Sequence, residues 1–203
     1  TARRGDDAGV ARDLAAAGVV PVLVDYGLPR VPRSVVVDAR MAKRPLDTRP
    51  DDAPLVVALG PGFIAGKDCH AVVETLRGSQ MGQVLWEGST EPDTGTPAPV
   101  GGRAADRVLR APVDGTVGWD RRIGDLVEAG EVLGRVGNRE VTAPFDGLVR
   151  GLILDGIKVA SGTKVGDVDP RGKTASAHEV SDKALAVGGG VLEAVLTWLN
   201  RTG

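Results

Sequence analysis

The second half of the chain contains an internal duplication. The segment APVDGTVGWDRRIGDLVEAGEVLGRV, residues 111–136, aligns without a gap with APFDGLVRGLILDGIKVASGTKVGDV, residues 143–168. The identical positions include the Ala-Pro and Asp-Gly pairs that open each copy. The shared glycines fall where short strands turn, and the shared valines fall where strands pack. The duplication therefore predicts two equivalent sets of short β-strands.

The two copies together resemble the two halves of a biotinyl/lipoyl-type barrel-sandwich hybrid module. In that fold, each half is a set of short strands, and the halves interlock about a pseudo-twofold axis. Carrier domains of this type present a modifiable lysine in the hairpin between the halves. Here the hairpin is Gly-Asn-Arg-Glu, residues 137–140, which holds no lysine. The resemblance therefore implies a scaffold or docking module that carries neither biotin nor lipoate.

The first half of the chain alternates between strand-like and helix-like segments. Helices are predicted over 6–17 and 67–78, and strands over 19–27, 55–60 and 82–88, with 33–42 as a short strand or a mixed segment. This alternation indicates an α/β fold with a Rossmann-like parallel sheet layer. Because the chain opens on a helix, we expect the first strand of that layer to be missing from this chain or supplied from elsewhere.

The predicted organisation has three parts. An α/β domain covers 1–104, the all-β barrel-sandwich hybrid module covers 105–170, and a C-terminal helical segment over 171–203 packs back on the α/β domain. Ser181 is a candidate helix cap, and the apolar spacing of residues 191–200 predicts an amphipathic helix. The glycines at 188–190 are expected to interrupt any longer helix.

Composition excludes several classes of protein. The 25 basic and 27 acidic side chains form no long run of one sign, and aromatic residues make up only 3%, so neither a polyanion-binding face nor a base-stacking platform is indicated. One cysteine and two histidines do not make a structural zinc site, and a single cysteine is typical of a reducing cytoplasm. We therefore predict a cytoplasmic protein without a bound metal and without nucleic-acid or membrane partners.

The most distinctive stretch of the first half is GPGFIAGKDCHAVVETLRG, residues 60–78. A strand, a glycine-rich turn and a helix in this order place backbone N–H groups where an anion binds. The predicted cofactor-binding residues are Gly60, Gly62, Gly66, Lys67, Asp68 and Arg77. The spacing is not that of a Walker loop, and an ordinary turn between a strand and a helix explains the same glycines.

The same stretch holds the candidate catalytic residues Cys69, His70 and Glu74. A helix start would lower the pKa of the Cys69 thiol, and His70 and Glu74, four residues apart on a helix, would form an acid–base pair. In the alternative interpretation, Cys69 is a small buried hydrophobe and His70 lies at the surface or caps the helix. Gly5, before the first predicted helix, is a weaker nucleotide candidate because Asp6 and Asp7 would repel a phosphate.

Taken in order, several motifs are similar to the selenium-dependent molybdenum hydroxylase system protein family. The motifs are GDDAGVARDLAAAG, GPGFIAGKDCHAVVETLRG, VLWEG, DTGTP, the duplicated module, KVGDVDPRG and SDKALAVGGGVLEAVL. The resemblance implies an accessory protein for maturation or cofactor insertion of a molybdenum hydroxylase, and favours a non-enzymatic role. It also implies that the molybdenum cofactor or a nucleotide binds at the Gly60–Cys69 turn. The implied partner is a hydroxylase client or another maturation protein, and a homo-oligomer is a further expectation.

Two other functions stay open at this point. One is a nucleotide-binding enzyme of unknown reaction that uses His70 and Glu74. The other is a purely structural or docking protein, in which Cys69 is buried and the Gly60–Cys69 turn lines no pocket.

Overall fold

The computed structural model describes residues 2–25, 27–29, 31–44, 46–94, 100–103, 105–174 and 177–202. These residues form two compact units. The first unit comprises 1–74, 83–90 and 190–203, and the second comprises 75–82 and 91–189. The three-part organisation predicted from the sequence stays a prediction, and residues 95–99 of the loop after the strand predicted over 82–88 lie outside the described residues.

The first unit begins with a small parallel sheet. Strand β1 (Ala2–Arg4) pairs with β2 (Val20–Val22), and helix α1 (Ala8–Ala16) connects them. The Asp7 carboxylate caps α1 by accepting hydrogen bonds from the amides of Gly9 at 2.7 Å and Val10 at 2.9 Å. The helix predicted over 6–17 is confirmed with shorter bounds. The described chain opens on a short strand, β1, ahead of that helix.

The main sheet of the first unit has four strands. They are β3 (Val35–Asp38), β4 (Leu55–Leu59), β5 (Ala71–Val73) and β6 (Val84–Leu85), in that spatial order. The pairs β3–β4 and β4–β5 are parallel, and β5–β6 is antiparallel. All five residues of β4 are buried, and a short 3₁₀ helix, Pro50–Asp52, precedes that strand.

The helix predicted over 67–78 is wrong. Its central apolar residues form β5, whose three residues are fully buried beside β4. Two of those residues are valines, whose branched side chains favour a pleated, buried surface over a helix. The chain from β4 to β5 therefore turns back through a compact loop, so no helix start faces the Gly60–Cys69 turn.

The second unit is built from antiparallel strands in two four-stranded sheets. One sheet has the order β11 (Arg139–Thr142), β10 (Val132–Val136), β8 (Gly115–Trp119) and β13 (Lys158–Val159). The other has the order β7 (Val108–Arg110), β14 (Lys164–Asp169), β12 (Gly147–Leu152) and β9 (Leu126–Val127). One 3₁₀ helix, Ala105–Arg107, precedes β7, and another, Gly172–Thr174, follows β14. One apolar core, rich in valine, fills this unit.

The two copies of the repeat make equivalent hydrogen bonds. The amide of Ala111 donates to Thr163 at 2.9 Å, and its counterpart Ala143 donates to Glu131 at 2.8 Å. The carboxylates of the two Asp-Gly pairs also match, because Asp114 accepts from the amide of Ser161 at 2.7 Å and Asp146 accepts from that of Ala129 at 2.8 Å. Each copy thus bonds to the other at corresponding positions.

Helix α2 (Asp182–Thr202) is longer than the segment predicted over 191–200. The Ser181 hydroxyl accepts a hydrogen bond from the amide of Ala184 at 3.1 Å, which confirms it as a cap. The expectation that glycines 188–190 interrupt the helix is wrong, since all three are helical. No helix among the described residues is long and apolar enough to cross a membrane.

The predicted fold class, a Rossmann-like α/β layer joined to a barrel-sandwich hybrid, is wrong. A Rossmann-like layer needs helices between its parallel strands, and no described residue between β3 and β5 is α-helical. Within the described part of the chain, two α-helices accompany sheets that are mostly mixed or antiparallel.

Candidate functional site

The glycines of the predicted Gly60–Cys69 site are required by close packing and turning. A Cβ on Gly62 would lie 2.4 Å from the carbonyl oxygen of Ala42, so only glycine fits there. Gly60 and Gly66 adopt φ angles of 92° and 84°, in the left-handed region that glycine enters at little cost. These glycines therefore have structural roles independent of any bound anion.

Most of the backbone donors expected to hold an anion are used inside the loop itself. The amides of Lys67 and Asp68 both donate to the carbonyl of Ile64, at 3.2 and 2.9 Å. The amide of Gly66 donates to the carbonyl of Cys69 at 2.9 Å, and the carboxylate of Asp68 accepts from the amide of Ile64 at 2.9 Å. The physical reason for an anion site at this turn, free N–H groups at a helix start, is absent.

Cys69 lies in the core of the first unit with none of its surface exposed. Burial, with a smaller contribution from the Asp68 charge, raises the pKa of the Cys69 thiol to about 12. A reactive Cys69 at a helix start would instead have a lowered thiol pKa. The side chain is therefore a neutral thiol at physiological pH, packed among apolar residues.

His70 and Glu74 do not share a helix, because β5 separates them. The Nδ1 atom of His70 accepts a hydrogen bond from the amide of Val56 at 3.0 Å, which places the ring against β4. Glu74 is only 3% exposed, and its amide donates to the carbonyl of Gln83 at 2.9 Å. The assignment of Cys69, His70 and Glu74 as catalytic residues stays a prediction.

The remaining predicted binding residues are distributed differently. Lys67 is exposed in the first unit. Arg77 belongs to the second unit, where its guanidinium pairs with the carboxylate of Asp182, with a contact of 2.8 Å from Nη2 to Oδ1. The roles of these residues in binding also stay predictions.

A cleft of about 390 Å³ in the first unit lies elsewhere, at the carboxyl end of β3. In the described part of the chain, three segments line it: the loop after β2, the end of β3 with the residues after it, and the segment that ends in the 3₁₀ helix before β4. Its charged side chains are Asp25, Asp38, Arg40, Asp47 and Asp52. Ligands of sheets with parallel strands commonly bind at this end of the strands.

Asp38 is the last residue of β3, and its side chain is 3% exposed. The guanidinium of Arg40 donates two hydrogen bonds to this carboxylate, from Nη2 to Oδ2 at 2.7 Å and from Nε to Oδ1 at 3.1 Å. The hydroxyl of Thr48 donates to the same Oδ2 atom and accepts from Arg40 Nη2 at 2.8 Å. Three side chains from two segments thus form one closed network.

The charge state of Asp38 is set by opposing effects. Burial raises its pKa, but the hydrogen bonds from Arg40 and Thr48 outweigh burial, so the pKa lies below the ordinary value of 3.8. Arg40 also contacts Asp47, from Nη1 to Oδ1 at 2.7 Å, and this hydrogen bond lowers the pKa of Asp47. Both carboxylates are therefore ionised at neutral pH.

Among the described residues that line the cleft, four carboxylates face one guanidinium, so the balance of their charges is negative. Ionised carboxylates only accept hydrogen bonds, so the cleft offers acceptors to a ligand that carries N–H or O–H groups. The half-exposed side chains of Leu28 and Val37 add apolar surface. Among the described residues, no group of three or more His, Cys, Asp or Glu side chains has the arrangement of a metal site.

Sequence reasoning missed this cleft. The available signal was the run Val-Val-Val-Asp followed by Arg40, in which a buried strand ends on a carboxylate. The segment over 33–42 was predicted only as a short strand or a mixed segment. Its partners Asp47 and Thr48 lie in a polar loop whose position no local pattern indicates.

No family model matches the chain. Over 204 aligned residues the chain is 47% identical to "Uncharacterized protein YqeB" of Escherichia coli (strain K12). The alignment takes in 99% of this chain and 38% of that protein, so the chain spans well under half of its curated relative.

Three solved structures show a partial likeness. An aspartoacylase family protein from Mesorhizobium loti is 18% identical, with 32% of this chain and 23% of that chain covered and a TM-score of 0.29. A succinylglutamate desuccinylase/aspartoacylase from Rhodobacter sphaeroides is 27% identical, with 32% and 22% covered and a TM-score of 0.30. The ectoine utilization protein EutE (DoeB) from Ruegeria pomeroyi is 25% identical, with 42% and 27% covered and a TM-score of 0.30. Scores this low assign no activity to this chain.

The expected membership of the selenium-dependent molybdenum hydroxylase system family is wrong on these findings. The curated relative is described only as uncharacterized, and the solved structures are aspartoacylase-type proteins and a protein of ectoine utilization. None of these proteins links the chain to molybdenum or selenium. The predicted role in maturation of a molybdenum hydroxylase is therefore wrong as well.

Proposed function

We propose that this chain is a small-molecule-binding module, and that its ligand binds in the cleft at the carboxyl end of β3. The observation that carries the proposal is Asp38, a carboxylate with a side chain only 3% exposed that lines a cleft of about 390 Å³. Keeping an ionised group so deeply buried is costly unless it is paired. Arg40 and Thr48 supply that pairing, and Arg40 also contacts a second carboxylate, that of Asp47.

The chemistry of the cleft selects a ligand that donates hydrogen bonds and carries no net negative charge. Asp47 is 68% exposed and so is available to a ligand amine or hydroxyl. A hydrogen bond to a charged group contributes about 1.5–3 kcal/mol. An anionic ligand would meet repulsion from the carboxylates of Asp25, Asp47 and Asp52.

The test is calorimetric titration with putrescine as a cationic probe and inorganic phosphate as an anionic one. Putrescine is expected to bind and phosphate is not. Asp47→Asn is expected to weaken putrescine binding about tenfold, because one charged acceptor is lost. Asp6→Asn, which removes an exposed carboxylate outside the cleft, is the matched control and is expected to leave binding unchanged. Phosphate binding as tight as that of putrescine, or an Asp47→Asn variant that binds normally, would contradict the proposal.

The proposal concerns this chain alone. The cytoplasmic location and the expectation that nucleic acids and membranes are not partners stay predictions.

A further inference from the structure

The cleft already holds a guanidinium group, that of Arg40. This group contacts both carboxylates, Asp38 through a fork and Asp47 at 2.7 Å. It also donates to the hydroxyl of Thr48 at 2.8 Å. The carboxylates of the cleft are therefore arranged to bind a guanidinium. This planar cation matches a carboxylate with two parallel hydrogen bonds.

The two partners of the buried pair differ in how firmly the structure holds them. The Asp38 side chain is 3% exposed at the end of a paired strand, whereas the Arg40 side chain is 50% exposed and lies beyond the strand. The carboxylate is thus fixed, and the guanidinium has solvent to move into.

The backbone next to Arg40 is strained. Met41 adopts a φ angle of 53°, the one non-glycine residue with a positive φ in the part of the chain that the structure describes. Residues other than glycine enter this region at a cost in free energy, and they persist where their surroundings hold them. Met41 directly follows Arg40, so this unfavourable backbone conformation adjoins the residue that contacts both carboxylates.

We infer that Arg40 is a built-in competitor for the ligand, and that the ligand class is compounds with a guanidinium group. This inference rests on the proposed function. A ligand that displaces Arg40 leaves the buried carboxylate of Asp38 without a cation, and an unpaired buried charge is strongly destabilising. The displacing group must therefore be a cation, and a guanidinium reproduces the forked contact that an ammonium cannot.

The experiment compares agmatine, which carries a guanidinium, with putrescine, which has an amine in its place. Both are titrated into the unchanged chain and into Arg40→Met, which keeps an apolar stem and removes the competing cation. Arg40→Met is expected to bind agmatine about tenfold more tightly than the unchanged chain, with a smaller gain for putrescine. Asp38→Asn in the same background is expected to abolish the gain.

The outcomes separate the two proposals. If the unchanged chain binds putrescine but Arg40→Met binds agmatine no more tightly, the competitor role of Arg40 is wrong and the binding function stands. If neither probe binds either protein, both are wrong. Should Arg40→Met fail to fold, Arg40→Lys keeps a cation beside Asp38 but lacks the fork, and the same preference for agmatine is expected with a smaller gain.

Discussion

At the scale of single residues, Asp38 and Cys69 show how burial acts on two titratable groups in the same unit. Burial raises the pKa of both. Asp38 has Arg40 and Thr48 as partners, so its net pKa falls and the group stays charged. For Cys69 no such compensation outweighs burial, and the thiol stays neutral. The partners, more than the depth of burial, decide which residue carries charge into a site.

Cys69 is expected to be inert toward iodoacetamide in the folded protein near neutral pH. The reactive species is the thiolate, and both the raised pKa of about 12 and full burial oppose its formation and access. Alkylation followed by mass spectrometry should show rapid modification only after the chain is unfolded in denaturant. Equal rates for the folded and the unfolded chain would contradict this and would support Cys69 as a reactive residue.

Gly62→Ala is expected to destabilise the first unit by about 3 kcal/mol, because the added Cβ would meet the Ala42 carbonyl oxygen at 2.4 Å and backbone must move. Urea unfolding measures the change. Gly118→Ala is the control, since a Cβ there meets nothing within 4 Å. A loss in Gly62→Ala no larger than that in the control would show that this packing is not tight.

At the scale of elements, sequence patterns located the features that depend on local spacing. The duplication correctly indicated equivalent halves, because each shared alanine marks a matching hydrogen bond between the copies. Helix α1 and the buried strand β4 were also located. The error at β5 arose because Ala71, Val72 and Val73 follow a glycine-rich turn, and a short apolar run fits a strand or a helix equally well until its tertiary partner, β4, is known.

Gly189→Ala is expected to stabilise the chain by about 1 kcal/mol. Glycine in a helix interior costs about that much relative to alanine, and a Cβ at position 189 meets nothing within 4 Å. Thermal unfolding followed by circular dichroism reports the gain. Gly82→Ala makes the opposite control, since its Cβ would lie 2.5 Å from the Ala186 carbonyl oxygen, and it is expected to destabilise. A destabilising Gly189→Ala would mean that this face of α2 is occupied.

At the scale of the whole molecule, the candidate site could not be predicted because it is assembled from separate segments. Asp25 follows β2, Asp38 ends β3 and Asp52 ends the 3₁₀ helix before β4, and these three segments meet only once the sheets have formed. The Gly60–Cys69 stretch was more conspicuous in sequence, yet its glycines serve close packing and a turn. The distinctive composition of the Gly60–Cys69 stretch thus reflects a structural constraint. The cleft depends on contacts between residues that are distant in sequence, which no local pattern reveals.

Protonation of Asp38 at low pH is expected to lower the free energy of unfolding. Its folded pKa is below 3.8, the ordinary value, so its contribution is fully present above pH 3.8 and is lost as the pH falls through the folded pKa. Asp38→Asn should be about 2 kcal/mol less stable near neutral pH, and its free energy of unfolding should fall less steeply below pH 3.8. Urea unfolding across that range measures both effects. In the control Asp6→Asn, the free energy of unfolding should fall with pH as steeply as in the unchanged chain. An equally steep fall in Asp38→Asn would show that the Asp38 carboxylate does not contribute to stability in this way.

The most direct test of the binding cleft is a titration of the isotopically labelled chain with agmatine, followed by ¹H–¹⁵N correlation spectra. Amide shifts are expected to concentrate in the segments that line the cleft, around residues 25–28, 36–40 and 47–52. They should weaken in Asp47→Asn and grow in Arg40→Met. Shifts centred on the Gly60–Cys69 turn, or no saturable shifts at all, would contradict a ligand site at the carboxyl end of β3.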